Sequence, residues 1–180
     1  CSNSDTLING VLGELSSSSL VWETRTTKNG FQSGSKIFDS PAPHTKQLKN
    51  ILLNAIEFYK ARYVDKECEM IKKWPREAQL YGWFNKLLKN GFQVSHIHPS
   101  GWVSGVVYLQ TIKPNKTNEG AIELSLHGYD LPIIRNDFPK TIYQPQFGDI
   151  ILFPSSTFHR TIPFTSEAER CVVAFDLVPT

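Results

Sequence analysis

Long apolar runs are missing from this sequence: none approaches the ~18 residues that a bilayer-spanning helix needs, and no basic stretch followed by an apolar one marks a signal peptide. The expectation is therefore a soluble, cytoplasmic chain with no membrane partner. Cysteine is scarce. Cys1, Cys68 and Cys171 are odd in number, far apart and without a CxxC pair, which excludes a disulfide framework or a zinc ribbon and suits a reducing compartment. Charge of one sign is also lacking: the formal net charge is +2, with Lys and Arg spread along the chain, so the basic footprint of a nucleic-acid binder is absent. There is no Gly-rich phosphate loop before a helix, no βαβ alternation and no repeat of 20 to 50 residues. A nucleotide-binding fold is not expected.

What remains is a chain of 180 residues, 40% apolar and 12% aromatic, long enough to bury one core without staples. It opens on Cys1 rather than Met, as a piece of a longer protein or a processed end would. Residues 1–19, rich in Ser, Asn and Gly, read as a poorly ordered lead-in. From His44 to about Val64, Leu48, Ile51, Leu52, Ala55, Ile56 and Tyr59 recur at three- and four-residue steps, which predicts one amphipathic helix with Pro41 and Pro43 before it. Beyond Pro75 the pattern turns to short apolar or alternating runs: 80–88, 92–98, 102–112, 121–126, 141–143, 150–154, 159–164 and 170–178. Many short strands separated by Gly, Pro and Asn predict a sandwich or barrel. The expected organisation is residues 1–75 as an extension whose helix packs on the barrel, and residues 76–180 as the barrel core, in one structural domain.

Within the strands, His96 and His98 stand two apart, so both imidazoles project from one face and can reach one ion. A pair of hydrogen-bonded or exposed histidines before the turn Pro99-Ser100-Gly101 is the alternative. The segment GDIILFPSSTFHRTIPF carries His159 into the start of another strand, the way a distant strand delivers a third ligand. Arg170 opens the strand RCVVAFDLV, sharing a face with Val172, Ala174 and Asp176. It suits a bidentate grip on a carboxylate, or a salt bridge to Glu167 or Glu169. Tyr108, on WVSGVVYLQ, either reaches the same pocket or is a core tyrosine with its hydroxyl paired elsewhere. His44 and His127 read as ordinary surface or loop histidines, Asp149 as a turn residue, and the loops 111–120 and 131–143 as the rim of the pocket.

The succession HIHPSGWVSGVVYL, GDIILFPSSTFHRTIPF and ERCVVAFDL resembles the 2-oxoglutarate and iron(II)-dependent oxygenases, prolyl hydroxylases included, over roughly Leu80 to Pro179. It is most similar to a His-x-His group of such oxygenases, some fused behind tetratricopeptide repeats. The resemblance implies a double-stranded β-helix (a jelly-roll or cupin-like barrel) with a flanking N-terminal helix. It also implies an oxygenase, a hydroxylase of unnamed substrate, using Fe(II), O2 and 2-oxoglutarate. By the resemblance, the metal ligands and catalytic centre are His96, His98 and His159, and the co-substrate anchors are Arg170 and Tyr108. Two departures stand out. His98 occupies the place where most of the superfamily has a metal-binding Asp, and were it not a ligand, Glu123 or water would fill that position. Val172 stands where many relatives have a Ser or Thr that hydrogen-bonds the co-substrate. Two other readings fit part of the pattern: a three-histidine cupin that uses no 2-oxoglutarate, and a non-catalytic binding module with a structural metal. The prime substrate, small molecule or protein side chain, and the oligomeric state are not written in the sequence.

Overall fold

The structure, a computed structural model, describes residues 3–23, 26–129, 131–134 and 137–180. Helix α1 (Asn3–Ser17) is followed by strands β1 (Trp22–Glu23) and β2 (Thr27–Ser33), a 3-10 turn at Ile37–Asp39, helix α2 (Pro43–Arg62) and the short α3 (Glu69–Lys72). Seven strands complete the chain: β3 (Ala78–His96), β4 (Val103–Gln110), β5 (Ile122–Ser125), β6 (Lys140–Tyr143), β7 (Ile150–Pro154), β8 (Phe158–Thr161) and β9 (Arg170–Pro179).

The reading of residues 1–19 as a poorly ordered lead-in is corrected by α1. Among its Ser, Asn and Gly, the residues Leu7, Ile8, Val11 and Leu15 keep to one face, and all four are buried. That stripe joins Leu48, Leu52 and Ile56 of α2, spaced one turn apart, in a core completed by the outward faces of the sheet, among them Phe84, Val103, Val107 and Phe175. Ile51, expected on the buried stripe, is 36% exposed; the buried row of α2 is narrower, Thr45, Leu48, Leu52 and Ile56. The start of α2 has no capping side chain of its own. Glu14 of α1 supplies it: Oε1 accepts the N–H of His44 at 2.9 Å, and Oε2 accepts the N–H and the hydroxyl of Thr45, each at 2.8 Å. Burial would raise this carboxyl, but the backbone N–H groups of His44 and Thr45 outweigh it and hold Glu14 down at about 2. His44, read as an ordinary surface histidine, donates from Nδ1 to the same Oε1 at 2.7 Å.

The described strands form one nine-stranded sheet in the order β6-β5-β8-β3-β9-β4-β7, with β2 also on β3 and β1 on β2. Every ladder between them is antiparallel. β3 was expected as two strands, 80–88 and 92–98. It is one, because β2 stays paired with it on both sides of the Asn90–Gly91 corner, from Gly30↔Leu87 to Lys28↔Phe92. Asn90 takes φ 60°, a left-handed conformation that Asn tolerates, and its N–H donates to Phe164 O at 2.7 Å. The first part of β3 lies against β9 and its end lies against β8, so the strand carries the sheet around from one limb to the other. The limbs face each other: Ile122 of β5 packs on Val106, Tyr108, Phe153 and Val172 of the opposite limb. The result is mainly β, a curled antiparallel half-barrel with helices on its outer face. β1 and β2, unread in the sequence, extend its edge.

Candidate metal centre

Register brings the histidines together. His96 ends β3 directly opposite His159 on β8, and His98 returns over them from the following turn, where its backbone N–H donates to Ser155 O at 3.0 Å. Ring centroids lie 4.2 Å apart for His96 and His159, 4.9 Å for His98 and His159, and 5.1 Å for His96 and His98. One ligand atom from each lies within 4.8 Å of the others, a group that could hold one metal ion.

The Nδ1 atoms are all engaged. His96 Nδ1 is 2.6 Å from Val94 O, His159 Nδ1 is 3.1 Å from Thr157 O, and His98 Nδ1 is 2.7 Å from Asp176 Oδ1. Carbonyls and carboxylates can only accept, so each Nδ1 carries the proton and each Nε2 keeps its lone pair for the centre. Burial pushes His96 below the ordinary imidazole range, against the opposing hydrogen bond to Val94. Burial and the neighbouring His96 and His98 take His159 down to about 3. Both are therefore neutral at pH 7, the form that binds a metal.

Asp176, which the sequence reading placed on the Arg170 face and gave no role, is the acceptor for His98. Ser104 donates to the same Oδ1 at 2.6 Å and lies 2.8 Å from Ser155 Oγ; both serines are buried. The signal for this group was a carboxylate placed by alternation on an inward face. Glu123, the substitute considered for His98, is taken by Arg160, with contacts of 2.8 and 3.1 Å. Asp149 accepts from Gln146 N–H at 2.7 Å and from Tyr143 Oη at 2.9 Å, closing a turn as expected.

The histidines stand in a cavity of about 430 Å3 that also holds Tyr108 and Arg170. Trp83 lines it beside His98, their ring centroids 5.3 Å apart. Arg170 is buried, and its guanidinium lies 4.9 Å from the centre of the Tyr108 ring. Its Nε donates to Gly120 O at 3.1 Å, a carbonyl aimed by the positive φ of 71° that glycine permits. Glu167 and Glu169, the alternative partners, pair instead with Lys89 and Lys86. Arg170 Nη1 and Tyr108 Oη are buried and find no hydrogen-bond partner among the described residues. Burial lowers Arg170 and raises Tyr108 from their ordinary values, each opposed by the other, yet a guanidinium stays charged. The loops expected to rim the cavity do not line it among the described residues, and 135–136 of the second lie outside them. Thr26, Gln32 and Ser35 from the β2 edge do.

Fold and site together place three converging imidazoles and a buried arginine in one cavity of a half-barrel. Residues 81–176, more than half of the chain, match the family described as "Putative 2OG-Fe(II) oxygenase", and the chain belongs to that family. It is a 2-oxoglutarate-dependent oxygenase whose cofactors are Fe(II) and 2-oxoglutarate. No curated protein matches the sequence. Among solved structures, a prolyl-4-hydroxylase from Pseudomonas putida is similar at 14% identity and a TM-score of 0.64, covering 98% of this chain and 88% of that one. HygX from Streptomyces hygroscopicus, with nickel and 2-oxoglutarate bound, is 15% identical with a TM-score of 0.65, covering 98% and 79%. A prolyl hydroxylase from Trichoplax adhaerens, in complex with a hypoxia inducible factor peptide fragment, is 14% identical with a TM-score of 0.63, covering 98% and 79%. These likenesses concern the fold.

Proposed function

We propose that the chain hydroxylates its substrate, with iron(II) held by Nε2 of His96, His98 and His159 and 2-oxoglutarate anchored by Arg170 and Tyr108. The observation that carries the reading is a buried cation with a free N–H in the same cavity as three imidazoles whose lone pairs converge. A buried, uncompensated guanidinium is expensive, and a carboxylate offers it a charged, doubly hydrogen-bonded partner. A three-histidine cupin without 2-oxoglutarate has no use for that cation. A closed structural site needs a fourth protein donor, and the cluster found among the described residues offers three.

Iron in such a site supplies the oxygen activation that couples 2-oxoglutarate decarboxylation to substrate oxidation; the balance is RH + O2 + 2-oxoglutarate giving ROH, succinate and CO2. The chain's own residues do the positioning. Asp176 keeps the His98 ring turned with Nε2 inward, Val94 O and Thr157 O do the same for His96 and His159, and Arg170 fixes the distal end of the co-substrate. The apolar side chains of Val106 and Phe153, the latter 4.8 Å from the His159 ring, limit water at the reacting end. The similar HygX and Trichoplax structures hold hygromycin B and a peptide fragment; the substrate here is a small molecule or a protein side chain. Purified protein given iron(II), 2-oxoglutarate and air should make succinate slowly without a substrate, and His159→Ala should make none. Succinate production by His159→Ala at the unaltered rate would refute the assignment.

A further inference from the structure

Asn85 is 1% exposed, and neither its Nδ2 nor its Oδ1 has a hydrogen-bond partner among the described residues. A wholly buried, wholly unpaired carboxamide is unfavourable and rare in a native interior. Its place in the sheet indicates what it awaits. Asn85 on β3 is the cross-strand partner of Val172 on β9, and Val172 is in turn the partner of Tyr108 on β4. Directly paired residues point to the same side of a sheet, so Tyr108, Val172 and Asn85 form one row on the concave face. The parity agrees: Trp83, two residues before Asn85, lines the cavity, whereas Phe84 between them packs in the helix-side core. Arg170 is two residues before Val172 on the same inward face.

Three buried polar atoms without partners among the described residues, Arg170 Nη1, Tyr108 Oη and Asn85 Nδ2, thus belong to neighbours of Val172 on this face. All three are donors. A carboxylate, with about four lone-pair sites on two oxygens, is the group that can satisfy them together. We infer that Asn85 is a third donor to the distal carboxylate of 2-oxoglutarate, supplying from β3 the hydrogen bond that Val172 at the centre of the row cannot make. This rests on the assignment of Arg170 and Tyr108 to that carboxylate.

The inference separates binding from stability. Asn85→Leu keeps the approximate shape and removes an unpaired polar group, so protein free of metal and co-substrate should melt no lower than the unaltered chain. On the iron(II)-loaded protein without oxygen, the same change should weaken 2-oxoglutarate binding about ten- to a hundredfold, the effect of losing a hydrogen bond to a charged acceptor, with iron affinity unchanged. Adding Val172→Thr returns a hydroxyl to the middle of the row and should recover most of the loss. Unaltered 2-oxoglutarate affinity in Asn85→Leu would overturn the inference. So would a lowered melting temperature with weaker binding that Val172→Thr fails to recover, since Asn85 would then be a structural residue. Failure of the unaltered, iron-loaded protein to bind 2-oxoglutarate would overturn the underlying assignment itself, a result distinct from either.

Discussion

Exchanging a carboxylate ligand for an imidazole leaves an iron(II) site one unit more positive. On the proposed ligand set the missing charge stands one imidazole further out: Asp176 lies 2.7 Å from His98 Nδ1, is itself bonded by buried Ser104, and would make Nε2 a stronger donor. Asp176→Asn keeps the shape and removes the charge. It should weaken iron(II) about ten- to a hundredfold, measured by anaerobic competition with a chelator, while an equal affinity would show that His98 needs no such support. Arg170 belongs to the same scale but a different ligand. Arg170→Ala should leave iron affinity nearly unchanged and greatly weaken 2-oxoglutarate, because a charged contact is lost from a dry pocket.

At the scale of elements, the two helices matter as the outer wall of the half-barrel. Leu52 is fully buried in the core that α1 and α2 share with the sheet, and Leu52→Ala should cost about 2–5 kcal/mol in denaturant unfolding. Glu14 ties α1 to the start of α2, and its pH signature has a definite sign. A carboxyl held at about 2 in the folded chain, against an ordinary value of 4.5, contributes stability that is complete above about pH 4.5 and is lost as pH falls toward about 2. Glu14→Gln should flatten the melting curve against pH across that window, and an unchanged acid slope would place the sensitivity elsewhere. The helix of α2 was legible because its apolar spacing runs for several turns. α1 was not, since Leu7, Ile8, Val11 and Leu15 are interleaved with Ser, Asn and Gly that ordinarily mark loops, and its order comes from burial against α2 and from the Glu14 cap. β2 was missed for a related reason: TKNGFQS lacks β-branched alternation, and its pairing with the long β3 supplies the stability instead.

On the scale of the whole molecule, the central barrel strands were readable because they alternate between the helix-side core and the cavity, as β9 does with Cys171, Val173 and Phe175 outward and Arg170, Val172 and Asp176 inward. That the three histidines and Arg170 come together in one cavity was readable from motif order. Alternation put Asp176 on the inward face, but its meeting with His98, Ser104 and Ser155, and the burial of Asn85 beside Val172, depend on registers between strands far apart in sequence, which no local pattern encodes. Curling the sheet through β3 converts those registers into one enclosed site. That convergence of three imidazoles and a buried guanidinium on a single iron and its co-substrate is the central claim. Its most direct test is an anaerobic titration of the unaltered protein with iron(II) and then 2-oxoglutarate, followed in the visible spectrum. A metal-to-ligand charge-transfer band that needs both additions, is absent in His159→Ala, and in Arg170→Ala appears only at far higher 2-oxoglutarate, is the predicted result. A protein that binds iron(II) but gives no band at any 2-oxoglutarate concentration would contradict the account.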